Sequence, residues 1–324
     1  MKAIIPVAGM GTRLRPHTHT VPKALLHVAG KTIIEHILDE VMAVEPSEII
    51  FVVGHLGDMV KDYLEPIVNV PTRFVAQKET LGIAHAIYQG KEYIDESPLL
   101  IVLGDTIFTA DLKGVTERDT SAIGVRTVED PSRFGVVVVD SGRIIRLVEK
   151  PKEPISLLAI AGVYYITDPP LLVSAIDYLF ENDIRTKGEY QLTDALQVML
   201  DRGHEMRTFS ISGWYDCGTP DALLETNRTL LAKFNGHVSR PGAIIIPPVW
   251  IDESAAIQNS IVGPNVSVAA GSIVKDSIIA DCIVSEYAVV EKIILNSSIV
   301  GDKSKVIGRP SSVNIGDSSE LELK

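Results

Sequence analysis

Ile251, Ile257, Val262, Val268, Val274 and Ile279 recur at steps of five or six residues, and Val284, Val290, Leu295 and Val300 carry the pattern on. From about Ala243 onward, Gly, Asn, Asp and Ser fill the positions between them. That is the hexapeptide-repeat spacing of a β-helix, in which stacked coils cover one another's apolar faces because no coil can bury its own. Roughly four coils of about 18 residues fit this stretch, with a sandwich of short strands as the alternative. Asp317 to Lys324 reads as a polar end.

The chain before the repeats has another texture. Lys2 to Val7 is a short β-branched run that fits a buried strand. Thr32 to Val44 has helical apolar spacing, Glu48 to Val53 is a strand stopping at Gly54, Asp58 to Leu64 is a short helix and Thr72 to Ala76 a strand. Gly82 to Ile94 reads as a helix and Leu99 to Leu103 as a strand that ends at Gly104-Asp105. Strands alternating with helices predict a doubly wound α/β sheet. Shorter extended runs at Ser121–Val128, Val136–Val139, Arg143–Val148 and Leu158–Ile166 add an antiparallel portion, expected to cover the carboxyl edge and make the sheet mixed. Helices near Pro169–Phe180 and Leu192–Arg202, a strand at Met206–Ile211 and a helix at Leu223–Phe234 complete this part. Two domains are expected, at 1–236 and 237–324.

The net charge of −12 over 324 residues argues against a general binder of nucleic acid or anionic membrane. Any binding of phosphate must come from placed cations acting against the overall field. Cys217 and Cys282 are too few for a disulfide framework, no stretch approaches the ~20 apolar residues of a membrane helix, and the first apolar run is too short for a signal segment. A cytoplasmic protein is the expectation.

Cations are placed in Ala8 to Leu26, AGMGTRLRPHTHTVPKALL, directly after the first strand. Gly9 and Gly11 permit a tight turn and let backbone N–H groups approach a ligand, while Arg13, Arg15 and Lys23 add fixed positive charge. Donors and cations at the carboxyl end of a first parallel strand suit a polyphosphate. Leu14 stands where the dinucleotide fingerprint needs its third glycine, and no G-K-[ST] follows, so neither that fingerprint nor the Walker loop is satisfied. Asp105, after a buried strand and a glycine, should emerge at the same edge; Asp216 lies far away in Gly213-Trp-Tyr-Asp-Cys-Gly-Thr-Pro. Two carboxylates meeting at a triphosphate suit Mg²⁺. The eight histidines form no H-x-x-x-H or H-E-x-x-H pattern, so no zinc site is assigned.

G-x-G-T-R-L-x-P-x-T followed by P-K-x-L-L resembles the opening motif of the sugar-1-phosphate nucleotidyltransferases, and the likeness runs through later motifs from Met1 to about Phe234. The resemblance implies a Rossmann-like nucleotidyltransferase domain. Its nucleotide site would use Ala8, Gly9, Gly11, Thr12, Arg13, Gln77, Gly82 and Asp105. Its sugar-phosphate site would use Gly135, Glu149, Lys150, Gly162, Tyr164, Lys187 and Trp214. Asp105 and Asp216 would be the Mg²⁺ ligands, Arg13 would face the leaving pyrophosphate, and Lys23 would bridge the phosphates of both substrates. Lys187 sits where similar thymidylyltransferases often have arginine, and a lysine lacks the bidentate fork. The repeats after a short nucleotidyl domain resemble the left-handed β-helix of long-form glucose-1-phosphate thymidylyltransferases, whereas Leu81-Gly-Ile-Ala-His-Ala leans towards uridylyltransferases.

The expected reaction is transfer of a nucleotidyl group from dTTP or UTP to glucose 1-phosphate. Two rivals are a bifunctional enzyme that also transfers an acyl group, and a non-catalytic nucleotide-sugar-binding regulator. The first commonly needs a histidine base, and His237 is the last histidine. The second would be suggested by loss of Arg13, Lys23 or either aspartate, and all are present. The expected partners are these small molecules and further copies of the chain, assembled through the β-helix.

Overall fold

Four parallel strands make one half of a nine-stranded sheet: β1 (Lys2–Pro6), β2 (Glu48–Val53), β3 (Thr72–Ala76) and β4 (Leu99–Val102), in the spatial order β3-β2-β1-β4. The near-continuous apolar sequences of β1, β2 and β4 reflect burial on both faces, with Ile4, Ile50 and Ile101 fully enclosed, whereas the edge strand β3 is only partly buried. The computed structural model describes residues 1–234, 236 and 238–309, so His237 and the polar end at 317–324 lie outside the described residues.

After β4 the chain passes Gly104 and Asp105 into β5 (Thr106–Thr109), which leaves the sheet. The sheet resumes with β6 (Ser121–Thr127), β7 (Gly135–Asp140), β8 (Arg143–Glu149), β9 (Leu158–Ile166) and β10 (Met206–Ser210), continuing from β4 in the order β9-β6-β10-β8-β7. β9 runs antiparallel to β4 and β6, and β8 antiparallel to β7 and β10. The antiparallel portion therefore widens the sheet, where the sequence suggested a cover over its carboxyl edge. Ladder pairing of β9 with β4 satisfies backbone groups that an overlying layer would leave unpaired. A separate two-stranded ribbon forms from β5 and β11 (Gly213–Asp216), segments too short to carry a strand pattern in sequence.

Helix α1 (Ile33–Met42) begins at a capping box in which Glu35 N–H donates to Thr32 Oγ1 and Thr32 N–H to Glu35 Oε2. α2 (Gly57–Leu64) joins β2 to β3. α3 (Ile83–Gln89) is shorter than its sequence suggested: it stops at Gly90, which packs on Ile4 and Ile50, and a 3₁₀ turn takes over at Lys91–Tyr93. With α5 (Pro169–Glu181) and α6 (Leu192–Asp201), numbered after the five-residue α4 (Leu112–Thr116), α3 covers one sheet face through Ile87, Leu172, Ile176, Leu196 and Met199. Each such fully buried side chain contributes about 1.5–3 kcal/mol by leaving water. α7 (Pro220–Leu231) follows the ribbon.

The chain divides into two units: residues 1–27 with 31–226, and residues 28–30 with 227–324. The division falls inside α7, before the change of composition at 236/237, because Asn227 and Arg228 bond to the repeats. Asn227 Nδ2 donates to Asn265 O at 3.1 Å, Asn227 Oδ1 accepts from Ser267 Oγ at 2.9 Å, and Arg228 pairs with Asp281.

Among the described residues 244–307 of the second unit the strand pairings are parallel. β12 (Ile244–Ile245), β13 (Val249–Ile251), β14 (Ala256–Gln258) and β15 (Ile261–Val262) are followed by β16 (Val266–Val268), β17 (Ile273–Lys275), β18 (Ile278–Val284), β19 (Val289–Glu291), β20 (Ile294–Val300) and β21 (Lys305–Ile307). One sheet holds β12-β15-β18-β16-β13 with β20 on β18, the other β14-β17-β19-β21. Successive passes stack 17 residues apart where Ile244 faces Ile261 and Ile261 faces Ile278, then 16 apart where Ile278 faces Ile294. The spacing is tighter than the ~18 of an unshortened coil. Val262, Val268, Val274, Ile279, Val284 and Val290 all point into the core. Among the described residues no helix is long and apolar enough to cross a membrane.

Candidate active site

β1 and β4 are neighbours, yet the chain leaves β1 for β2 on the other side. The carboxyl ends of β1 and β4 thus flank the point where strand order reverses, the place an open α/β sheet offers to a ligand. Gly104 N–H donates to Pro6 O at 3.1 Å and draws the two ends together. Residues 7–26 fold back over them. Leu14 is fully buried and its N–H donates to Gly11 O at 2.9 Å, while Thr18 Oγ1 donates to the same carbonyl at 2.8 Å. This anchoring returns Lys23, 8% exposed, to the strand ends, where its Nζ donates to Asp105 Oδ2 at 3.1 Å.

Two clefts open here. The first, about 230 Å³, is lined by Ala8, Gly9, Lys23, Gln77, Gly82 and Asp105. Gln77 is nearly buried, and its Nε2 donates to Gly82 O at 3.3 Å. Gly82 adopts φ +112°, and a Cβ there would sit 2.4 Å from Tyr190 O, so the wall is bare backbone by necessity.

The second cleft, about 610 Å³, is walled by Arg13, Asp105, Glu149, Lys150, Trp214 and Asp216, with Gly135, Gly162 and Tyr164 behind them. Glu149 stands opposite Gly135 in the β7–β8 ladder. Its Oε2 accepts from Thr193 Oγ1 at 2.7 Å and its Oε1 lies 3.2 Å from Lys150 Nζ. Burial, helped by the negative charges of Glu149 and Asp105, raises the Tyr164 phenol above its ordinary range, so it stays protonated. Trp214 packs on Phe134 with ring centres 4.8 Å apart, and its indole N–H is buried with no partner among the described residues.

The β5–β11 ribbon solves the sequence distance between the two aspartates: Asp216 faces Thr106, the neighbour of Asp105. Gly218 N–H donates to Asp216 Oδ1 at 2.8 Å. A Cβ on Gly218 would lie 2.8 Å from both Arg13 Nη2 and Asp216 Oδ1, so the guanidinium and the carboxylate flank a space that only glycine leaves open. Asp105 belongs to both clefts and, with Ile83 and Leu103, forms the wall they share, where it is the one charged residue.

Gly11 and Thr12 support the loop without lining either cleft, and Lys187 is exposed at the Thr186–Glu189 turn outside both. Conversely, Thr80 in the first cleft and Arg133, Gln191 and Thr193 in the second were not singled out from sequence. The one available signal was the run Tyr190-Gln-Leu-Thr-Asp at a helix start, polar residues where a cleft wall meets α6.

A mixed sheet with a glycine- and cation-bearing first loop, and two aspartates brought to the switch point, is the α/β architecture of this chain. Residues 2–233 match the nucleotidyl transferase family model, and the chain belongs to that family; it is a nucleotidyltransferase. It is 32% identical over 297 residues to glucose-1-phosphate thymidylyltransferase of Streptomyces antibioticus, covering 85% of this chain and 80% of that one. It is 33% identical over 240 residues to UTP–glucose-1-phosphate uridylyltransferase AglF of Haloferax volcanii, covering 71% of this chain and 96% of the relative. A crystal structure of UDP-glucose pyrophosphorylase complexed with UDP-glucose superposes with a TM-score of 0.64 at 25% identity, over 72% of this chain and 99% of that one.

Proposed function

We propose that the first cleft takes a nucleoside triphosphate and the second a sugar 1-phosphate, and that their phosphates meet at Asp105. The observation that carries this reading is the shared wall: one carboxylate common to two clefts of different chemistry, with Lys23 bonded to it and Arg13 beside the second aspartate. A phosphate oxygen of the sugar 1-phosphate bonds to the α-phosphorus of the triphosphate. The bond from the α-phosphorus to the oxygen that bridges it to the β-phosphorus breaks, and pyrophosphate leaves with that oxygen and the electron pair. Such a displacement needs no protein nucleophile; it needs two polyanions held in line, an orientation worth about 7–11 kcal/mol. Lys23 offsets repulsion between the two phosphates, and Arg13 takes up charge on the leaving pyrophosphate. Glu149 accepts from sugar hydroxyls, and Lys150 supplies a point charge for the sugar phosphate.

The donor set at the junction suits Mg²⁺. Asp105 and Asp216 offer only hard oxygen ligands, and no cluster of three His, Cys, Asp or Glu forms among the described residues, so an ion here would complete its shell with phosphate and water. Bound there, it would supply charge neutralisation to the phosphates. dTTP or UTP with glucose 1-phosphate is the favoured pair, in keeping with the activities for which the relatives are named.

The stacked parallel passes of the second unit support a left-handed β-helix. Ile244, Ile261, Ile278 and Ile294 form a ladder on its outside, with Ile244 60% and Ile294 74% exposed, and a second copy carrying the same rung spacing is the partner such a strip fits. The direct test is pyrophosphate release with Mg²⁺, crossing dTTP, UTP, GTP, ATP and CTP against glucose, mannose, galactose and N-acetylglucosamine 1-phosphates. Release that requires one triphosphate and one sugar phosphate together supports the reading. Release without a sugar phosphate, or none across the grid from folded protein, contradicts it.

A further inference from the structure

Helix α5 runs out through a left-handed residue. Asp183 has φ +45°; its N–H donates to Phe180 O at 3.2 Å, and Ile184 N–H donates to Leu179 O at 2.9 Å. Glycine takes such a place with least strain, and an aspartate there costs something its side chain must offset. That side chain closes a triangle. The Tyr190 O–H donates to Asp183 Oδ1 at 2.8 Å, Arg185 Nε–H to the same oxygen at 2.7 Å, and Arg185 Nη2–H to the Tyr190 oxygen at 2.9 Å. The guanidinium carbon stands 4.4 Å from the centre of the Tyr190 ring, and Phe180 meets that ring edge-on at 4.6 Å. The Asp183 and Arg185 side chains are 73% and 37% exposed, whereas Tyr190 is buried.

Tyr190 carries this tether to the first cleft through its main chain. Its N–H donates to Leu81 O at 2.8 Å and its carbonyl accepts from Ala84 N–H at 3.0 Å. The tyrosine backbone thus brackets Gly82 and Ile83, both of which line the cleft, as does Glu189 just before it. On one side the chain arrives from the exposed Thr186–Glu189 turn, where Lys187 and Gly188 are both left-handed. On the other, α6 starts at Leu192 and places Thr193 in the second cleft from within a helix. The tether bears on the first cleft.

We infer that Asp183 and Arg185, which line neither cleft, are positioning residues for triphosphate binding: they hold Tyr190, and Tyr190 holds the wall at Leu81–Ala84. An exposed ion pair ordinarily adds little to stability, so the triangle can be opened without unfolding the protein. The inference rests on the reading of the first cleft as the triphosphate site.

Steady-state constants for UTP and dTTP against glucose 1-phosphate test it in the wild type, Asp183→Gly, Asp183→Asn and Tyr190→Phe, each with its melting temperature. Asp183→Gly removes the acceptor and also relieves the left-handed backbone, so a purely structural role would leave the kinetics alone and the melting temperature equal or higher. The KM for the triphosphate should instead rise about fivefold in Asp183→Gly and Tyr190→Phe, with the KM for glucose 1-phosphate unchanged. Asparagine keeps an oxygen acceptor for both donors and tolerates the left-handed region, so Asp183→Asn should hold the wild-type constants. A wild-type triphosphate KM in folded Asp183→Gly and Tyr190→Phe overturns the inference, as does an equal rise in both constants. A wild type that turns over neither triphosphate instead overturns the reading of the first cleft, and the inference falls with it.

Discussion

The two clefts share a wall but are built by different means. The first is made largely of main chain and small residues, at Ala8, Gly9 and Gly82, with Gln77, Thr80 and Glu189 as its polar side chains away from the Lys23–Asp105 wall. The second is made of charged and hydroxyl side chains, at Arg13, Glu149, Lys150, Thr193 and Asp216, several already bonded to one another. A flat base needs close approach and one well-aimed hydrogen-bonding group, whereas a sugar phosphate needs acceptors for its hydroxyls and cations for its charge. The difference teaches that each cleft should fail in its own way when altered, and that only the shared wall should fail for both substrates.

The largest effect is expected at that wall. Asp216→Ala should lower turnover by at least ~10³-fold without changing the circular dichroism or melting temperature, because it removes charge at the reacting centre and no buried packing. Near-full Mg²⁺-dependent activity in this variant would remove Asp216 from the proposed metal site. Gly218→Ala sharpens the same point without removing a charge. Its Cβ would stand 2.8 Å from the Arg13 guanidinium and the Asp216 carboxylate, and displacing them should cost ~10²-fold in kcat with little loss of stability.

Smaller effects should separate the clefts. Glu149→Gln keeps the shape and an acceptor for Thr193, so the KM for sugar 1-phosphate should rise about tenfold while that for the triphosphate stays put. Equal changes in both constants would break the division of labour. Gly82→Ala should act in the opposite sense, raising the KM for the triphosphate. It should also destabilise the protein by ~1–3 kcal/mol in denaturant titration, since φ +112° and the approach of Tyr190 O both oppose a side chain. The smallest effect is expected in the second unit, where Ile278→Asp should weaken self-association in sedimentation experiments and leave both KM values unchanged.

Much of this was legible in the sequence because certain residues declare a constraint locally. The buried strand ahead of Gly104-Asp105 fixed where that carboxylate emerges, and the five- and six-residue apolar steps from Ile251 gave the stacked passes. What could not be read depended on long-range register. Thr193 matters because β8 brings Glu149 to within 2.7 Å of it. Asp216 meets Asp105 only through a ribbon of four-residue strands, each too short for a periodic signal. The tightening from 17 to 16 residues per pass was hidden because removing one residue at a corner leaves the apolar beat intact. Lys187 shows the converse: it has a motif's neighbours, yet it is exposed on the Thr186–Glu189 turn and lines neither cleft, while Glu189 at the end of that turn lines the first.

The central claim is that the two substrates sit in separate clefts and join at Asp105, so that the product spans both. A crystal structure with UDP-glucose tests it most directly. The account predicts the uracil at Gln77, the glucose at Glu149 and the diphosphate between Lys23, Arg13 and Asp105. A product lodged wholly within one cleft, or with base and sugar exchanged, would contradict it.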